Sequence, residues 1–84
     1  MQSALINRVF WHSRRGMLEL DLLLVPFVER GGFAALNQQQ QQCYQDLIAL
    51  EDPVLFDWFL GKGEPTMEFV PLVEHIKQWH ANGR

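Results

Sequence analysis

Residues 17–28 read Met17-Leu18-Glu19-Leu20-Asp21-Leu22-Leu23-Leu24-Val25-Pro26-Phe27-Val28, and their spacing decides the fold. Met17, Leu20, Leu24, Phe27 and Val28 fall on one stripe at the helical period of about 3.6 residues. Leu18, Leu22 and Val25 carry the apolar surface further round. That pattern predicts a central helix covered on most sides. Pro26 removes a backbone donor and is expected to bend its last turns. Gly31-Gly32 ends it, because glycine readily takes the left-handed cap conformation.

Working outward, Ser3 to Ser13 carries Leu5, Ile6, Val9 and Phe10 on one side, a short first helix. On the other flank, Asn37 with Gln40 three positions later forms a variant capping box. The helix it opens runs to about Leu50, with Cys43, Tyr44, Leu47, Ile48 and Leu50 inward. Asp52-Pro53 places a capping carboxylate before a proline at the first helical position. Leu55, Phe56, Phe59 and Leu60 form the inward side of that fourth helix, which closes near Gly61–Gly63. A last helix begins at Thr66 or Glu68 and tolerates Pro71 only in its first turn. Phe69, Leu72, Val73, Ile76 and Trp79 make its buried stripe. The expected architecture is all-α: a compact bundle of five short helices in a single domain spanning residues 1–84, without linker or repeat.

Composition narrows the function. Chains of this size bury only about 60–65% of the surface their unfolded form exposes. Here 48% hydrophobic and 12% aromatic residues supply a core without cross-links. Cys43 is the only cysteine, so an intrachain disulfide and a multi-thiolate zinc site are both excluded. A net charge of −3 argues against nucleic acid, whose binding depends on clustered cations. The longest apolar run, Leu22–Val28, is far shorter than the roughly 20 residues of a membrane span. Nothing reads as a signal peptide, so the expected location is the cytoplasm.

No catalytic or nucleotide-binding motif stands in the chain: GxGxxG, GxxxxGK[ST], HExxH, CxxC and GxSxG are all missing. Gly61-Lys62-Gly63 reads as a helix end, and Gln38–Gln42 as the solvated first turns of the third helix. His12, His75 and His80 are too dispersed for a metal site, and Cys43 reads as a small core residue. Trp58 and Trp79 read as core, while Trp11 borders a basic turn.

That turn is Ser13-Arg14-Arg15-Gly16-Met17-Leu18-Glu19-Leu20-Asp21. Two readings fit it. In one it is a helix junction, with Gly16 as a cap and Arg15–Glu19 as a surface ion pair worth about 0.2–0.5 kcal/mol. In the other it is a docking face. Glycine lets another backbone approach closely, arginine offers a planar fork suited to a partner's carbonyls and carboxylates, and the neighbouring carboxylate steadies the fork.

Arg15-Gly16-Met17-Leu18-Glu19 fits an RGxxE signature, and the fuller RRGMLELD stretch resembles the bacterial SdhE (YgfY) family, the FAD assembly factors of succinate dehydrogenase. Asp52-Pro53-Val54-Leu55-Phe56-Asp57-Trp58-Phe59 is similar to that family's DPxLFxW segment, so the resemblance covers nearly the whole chain. It implies a five-helix chaperone, not an enzyme. Such a factor binds the flavoprotein subunit of succinate dehydrogenase, and that of fumarate reductase, and promotes covalent attachment of FAD. The flavin belongs to the client, and the factor has no cofactor or metal of its own. Carried over, Arg15, Gly16 and Glu19 are the signature partner contacts, with Arg14, Asp21, Trp11 and His12 as neighbours. The alternative is a soluble antitoxin paired with a small inner-membrane protein.

Overall fold

The apolar stripe of residues 17–28 does form a helix, and three other helices pack on it. The computed structural model describes residues 2–82. Its order is α1 (Gln2–Ser13), α2 (Leu18–Glu29), α3 (Gln38–Ile48), α4 (Asp52–Leu60) and α5 (Val70–Ala81). Helices α1, α4 and α5 each pack against α2, and α3 lies across α1 and α5. The radius of gyration is 11.7 Å, close to the roughly 12 Å of a well-packed chain this long. None of the helices among the described residues is long and apolar enough to cross a membrane.

The core forms where the stripes converge. Leu20, Leu24 and Phe27 of α2 meet Tyr44 and Leu47 of α3, Leu55 of α4, and Val73 and Ile76 of α5, all fully buried. Phe27 stacks on Tyr44 at 5.7 Å and meets Trp79 edge-on at 5.2 Å. Aromatic pairs in such geometry add about 0.5–1.5 kcal/mol beyond the area they bury. Val9 of α1 is buried, with Leu5, Ile6 and Phe10 packed around the same core.

Several local expectations hold in detail. Asn37 and Gln40 form the reciprocal capping box, at 2.8 and 3.0 Å. Gln38, Gln39, Gln40 and Gln42 are exposed, as a solvated first turn requires. Gly31 has φ +95°, the left-handed conformation expected after α2. Pro71 stands in the first turn of α5.

Others are corrected. Helix α2 is not covered on most sides: Leu18 and Leu22 are 67% and 55% exposed. Leu18, Leu22, Val25 and Glu29 follow one another at helical spacing, and no helix packs over the N-terminal half of that stripe. Phe56 and Leu60 of α4 are likewise exposed, and only Leu55 and Phe59 of the four point inward. Helix α5 starts at Val70, because the hydrogen bonds from Phe69 to Thr66 and from Val70 to Met67 close tighter turns first. Finally, the N-cap of α4 is Glu51, and Asp52 is already helical. The Asp52 carboxylate is turned elsewhere.

Candidate docking site at the α1–α2 turn

Residues 14–17 connect α1 to α2 and leave both helices nearly at once. Gly16 makes the sharp reversal possible: its φ of +80° lies where L-residues are strained. A Cβ built there would meet nothing within 4 Å, so the backbone conformation alone demands glycine. The outer side of the turn is open ground.

Arg15 is what holds the turn in place. Its Nε donates to Asp52 Oδ1 at 2.8 Å, Nη1 to His12 O at 2.8 Å and Ile48 O at 2.6 Å, and Nη2 to Leu50 O at 2.9 Å. The side chain is only 16% exposed, against 32% for Asp52. Each acceptor has a reason to want a cation. His12 lies at the C-terminal end of α1, and Ile48 and Leu50 at that of α3, where carbonyls lack helical partners and the dipole is negative. Asp52 occupies the first turn of α4, where a carboxylate is favoured. One planar fork therefore joins three helix ends. Hydrogen bonds to charged groups contribute about 1.5–3 kcal/mol each in favourable settings.

This arrangement replaces the expected Arg15–Glu19 pair. The ion pair found among the described residues is Arg15–Asp52, spanning 37 positions. Glu19 is exposed on the first turn of α2, with no hydrogen-bond or ion-pair partner among the described residues. Asp21 works inward: its Oδ1 accepts from the Arg15 backbone N–H at 2.7 Å, tying the turn to α2.

The remaining residues form the outer rim. Arg14 is exposed and lies 5.5 Å from the Trp11 ring centre, a cation–π contact worth about 0.5–1 kcal/mol on a surface. Trp11 is 57% exposed although Phe10 packs edge-on against it. His12 is also exposed, and its role here is its carbonyl. Trp11, Arg14, Gly16, Leu18 and Glu19 are thus all open at or beside the turn. The seven singled-out residues divide by geometry: Arg15 and Asp21 face the interior, and the others face out.

Four contributors, Asp52, Ser13, Leu18 and Leu22, are not legible as such in the sequence. The sequence offers Asp52 as a helix cap, and only three-dimensional proximity gives it Arg15. Ser13, fully buried, donates to Val9 O at 2.8 Å and shares a 2.7 Å hydrogen bond with the Tyr44 hydroxyl, fixing α1 against α3 beneath the turn. Burial pushes the Tyr44 hydroxyl well above its ordinary pKa, opposed by the Ser13 hydrogen bond and the nearby Arg15 charge. Leu18 and Leu22, read as interior, add apolar surface beside Glu19.

Cys43 is half-buried against the core, and burial with Asp46 and Glu68 nearby raises its pKa. That shift disfavours the thiolate, which is the reactive form. No group of His, Cys, Asp and Glu among the described residues is placed to hold a metal ion.

Fold and site together define a class: a small all-α bundle with an outward-facing turn braced from within. The chain belongs to the Sdh5 family, described as flavinator of succinate dehydrogenase, whose model matches residues 7–80. It is 48% identical over 60 residues to the FAD assembly factor SdhE of Pseudomonas aeruginosa, covering 71% of this chain and 70% of that one. It is 51% identical over 59 residues to the SdhE of Pseudomonas syringae pv. tomato, covering 70% and 69%. With the Coxiella burnetii SdhE the identity is 39% over 73 residues, covering 86% and 88%. No solved structure matches the chain.

Proposed function

We propose that this chain is an assembly factor that binds the flavoprotein subunit of succinate dehydrogenase and promotes covalent attachment of FAD to it. The observation that carries this reading is family membership across residues 7–80. The exposed Arg14, Gly16, Leu18 and Glu19 beside Trp11 supply a docking face consistent with it. The covalent bond joins a flavin methyl carbon to a histidine of the client. The factor's part is to hold the client's domains where those two groups meet. FAD belongs to the client, and the chain acts without a cofactor or a catalytic residue of its own. The related fumarate reductase subunit is a second client. The site of action is the cytoplasm.

The test is co-expression of the flavoprotein subunit with the chain, without it, and with Gly16→Arg or Glu19→Ala. Covalent flavin is then read as fluorescence on denaturing gels. Strong fluorescence is expected only with the unaltered chain. Equal signal in every lane, with FAD limiting, would refute the proposal.

A further inference from the structure

The two sequence blocks that characterise this chain, residues 14–21 and 52–59, are joined at the turn itself by the Arg15–Asp52 pair, at 2.8 Å. With Nε, both protons of Nη1 and one of Nη2 engaged by internal acceptors, the Arg15 fork has almost no donor left for another molecule. We infer that Arg15 and Asp52 are positioning residues for partner binding: a clasp that fixes the pose of Gly16–Glu19 and touches the partner little or not at all. This rests on the reading that residues 14–19 face the flavoprotein subunit.

The geometry supplies the reason. The turn has little apolar anchorage, since Arg14, Gly16, Leu18 and Glu19 are exposed and Met17 is only half-buried. Left to its backbone, it has Arg14 N to Trp11 O at 3.3 Å and Asp21 N to Met17 O at 2.9 Å. The guanidinium adds directional bonds to the ends of α1, α3 and α4, so the turn moves with the whole bundle. Asp52 is the acceptor that neutralises the cation; the other three are neutral carbonyls. Without it a largely covered guanidinium loses its counter-charge and swings toward water. A docking face held within a fraction of an ångström binds more tightly than one that must be ordered on contact.

The experiment uses the full chain and the purified flavoprotein subunit. Binding is measured by calorimetry and, in the free chain, amide hydrogen exchange by NMR. Asp52→Ala is expected to weaken binding about tenfold, the scale of one charge-assisted interaction. Amides 15–19 should exchange faster while core amides such as Leu24 and Leu47 stay protected. Asp52→Asn, which keeps an acceptor oxygen, should recover part of the loss. Arg15→Ala/Asp52→Ala should bind no more weakly than Arg15→Ala alone, since the two residues act as one unit. Wild-type binding by Asp52→Ala, or strictly additive losses in the double variant, would overturn the clasp. If Asp52→Ala fails to fold, Asp52→Asn decides through the same two readouts. Glu19→Ala separates the two levels. Unchanged binding there, with the exchange response of Asp52→Asn intact, refutes the docking face and leaves the clasp as a brace of the fold.

Discussion

Two junctions flank α2, and they are anchored by opposite means. Each uses a left-handed glycine, Gly16 at φ +80° before the helix and Gly31 at φ +95° after it. The α2–α3 connection is then held by burial. Phe33 is fully buried against Tyr44 at 5.3 Å, Leu36 is buried too, and backbone bonds run from Phe33 to Phe27 and from Ala35 to Gly31. The α1–α2 turn is held instead by Arg15, Asp52 and Asp21. Burial takes the anchoring side chains out of reach of any partner. A charged clasp fastens the turn from beneath and leaves its outer surface free. The first junction therefore keeps the open outer face that the proposed docking needs, while the second spends its large side chains on the core.

Breaking the buried junction gives the largest effect. Phe33→Ala should cost about 3–5 kcal/mol in urea unfolding, through lost burial and an unfilled cavity. Whatever remains folded should bind the partner normally.

The two glycines test the contrast directly. Gly16→Ala and Gly31→Ala face the same backbone strain and no steric neighbour within 4 Å. Each should cost about 1–2 kcal/mol of stability. Only Gly16→Ala should reduce covalent flavin on the client beyond what its stability loss explains.

Tyr44 connects the two junctions, since it packs on Phe33 and bonds Ser13. Its folded pKa is raised above the ordinary value of 10.0. Above that pH the unfolded chain releases the phenolic proton and the folded chain retains it, so stability should fall as pH rises through 10 and be unaffected by this group below it. As the chain has one tyrosine, tyrosinate absorbance reports the event, and it should appear together with loss of helical circular dichroism. Tyr44→Phe should abolish this contribution to the pH dependence at a cost of about 1 kcal/mol.

The smallest stability change belongs to the exposed stripe. Leu18→Ser should shift stability by no more than about 0.5 kcal/mol, since the side chain is mostly in solvent. A weaker calorimetric affinity for the flavoprotein subunit would extend the docking face along α2.

Much of this protein is written locally. The period of residues 17–28, the Asn37–Gln40 capping box, the glycine ends and the prolines in first helical turns each depend on residues within a turn or two of one another. Such signals survive in a one-dimensional string. Five helices and their main buried stripes follow from them, as does the resemblance carried by the two motif blocks. Exposure of Leu18, Leu22, Phe56 and Leu60 does not follow, because an apolar residue on a helix is buried only if another element arrives to cover it. Nor does the partner of Arg15. Sequence spacing offers Glu19, four residues away on a helical surface, and the structure chooses Asp52, 37 residues away. That choice exists only once the ends of α1, α3 and α4 converge, where unpaired carbonyls and a carboxylate surround the guanidinium more completely than one exposed glutamate could.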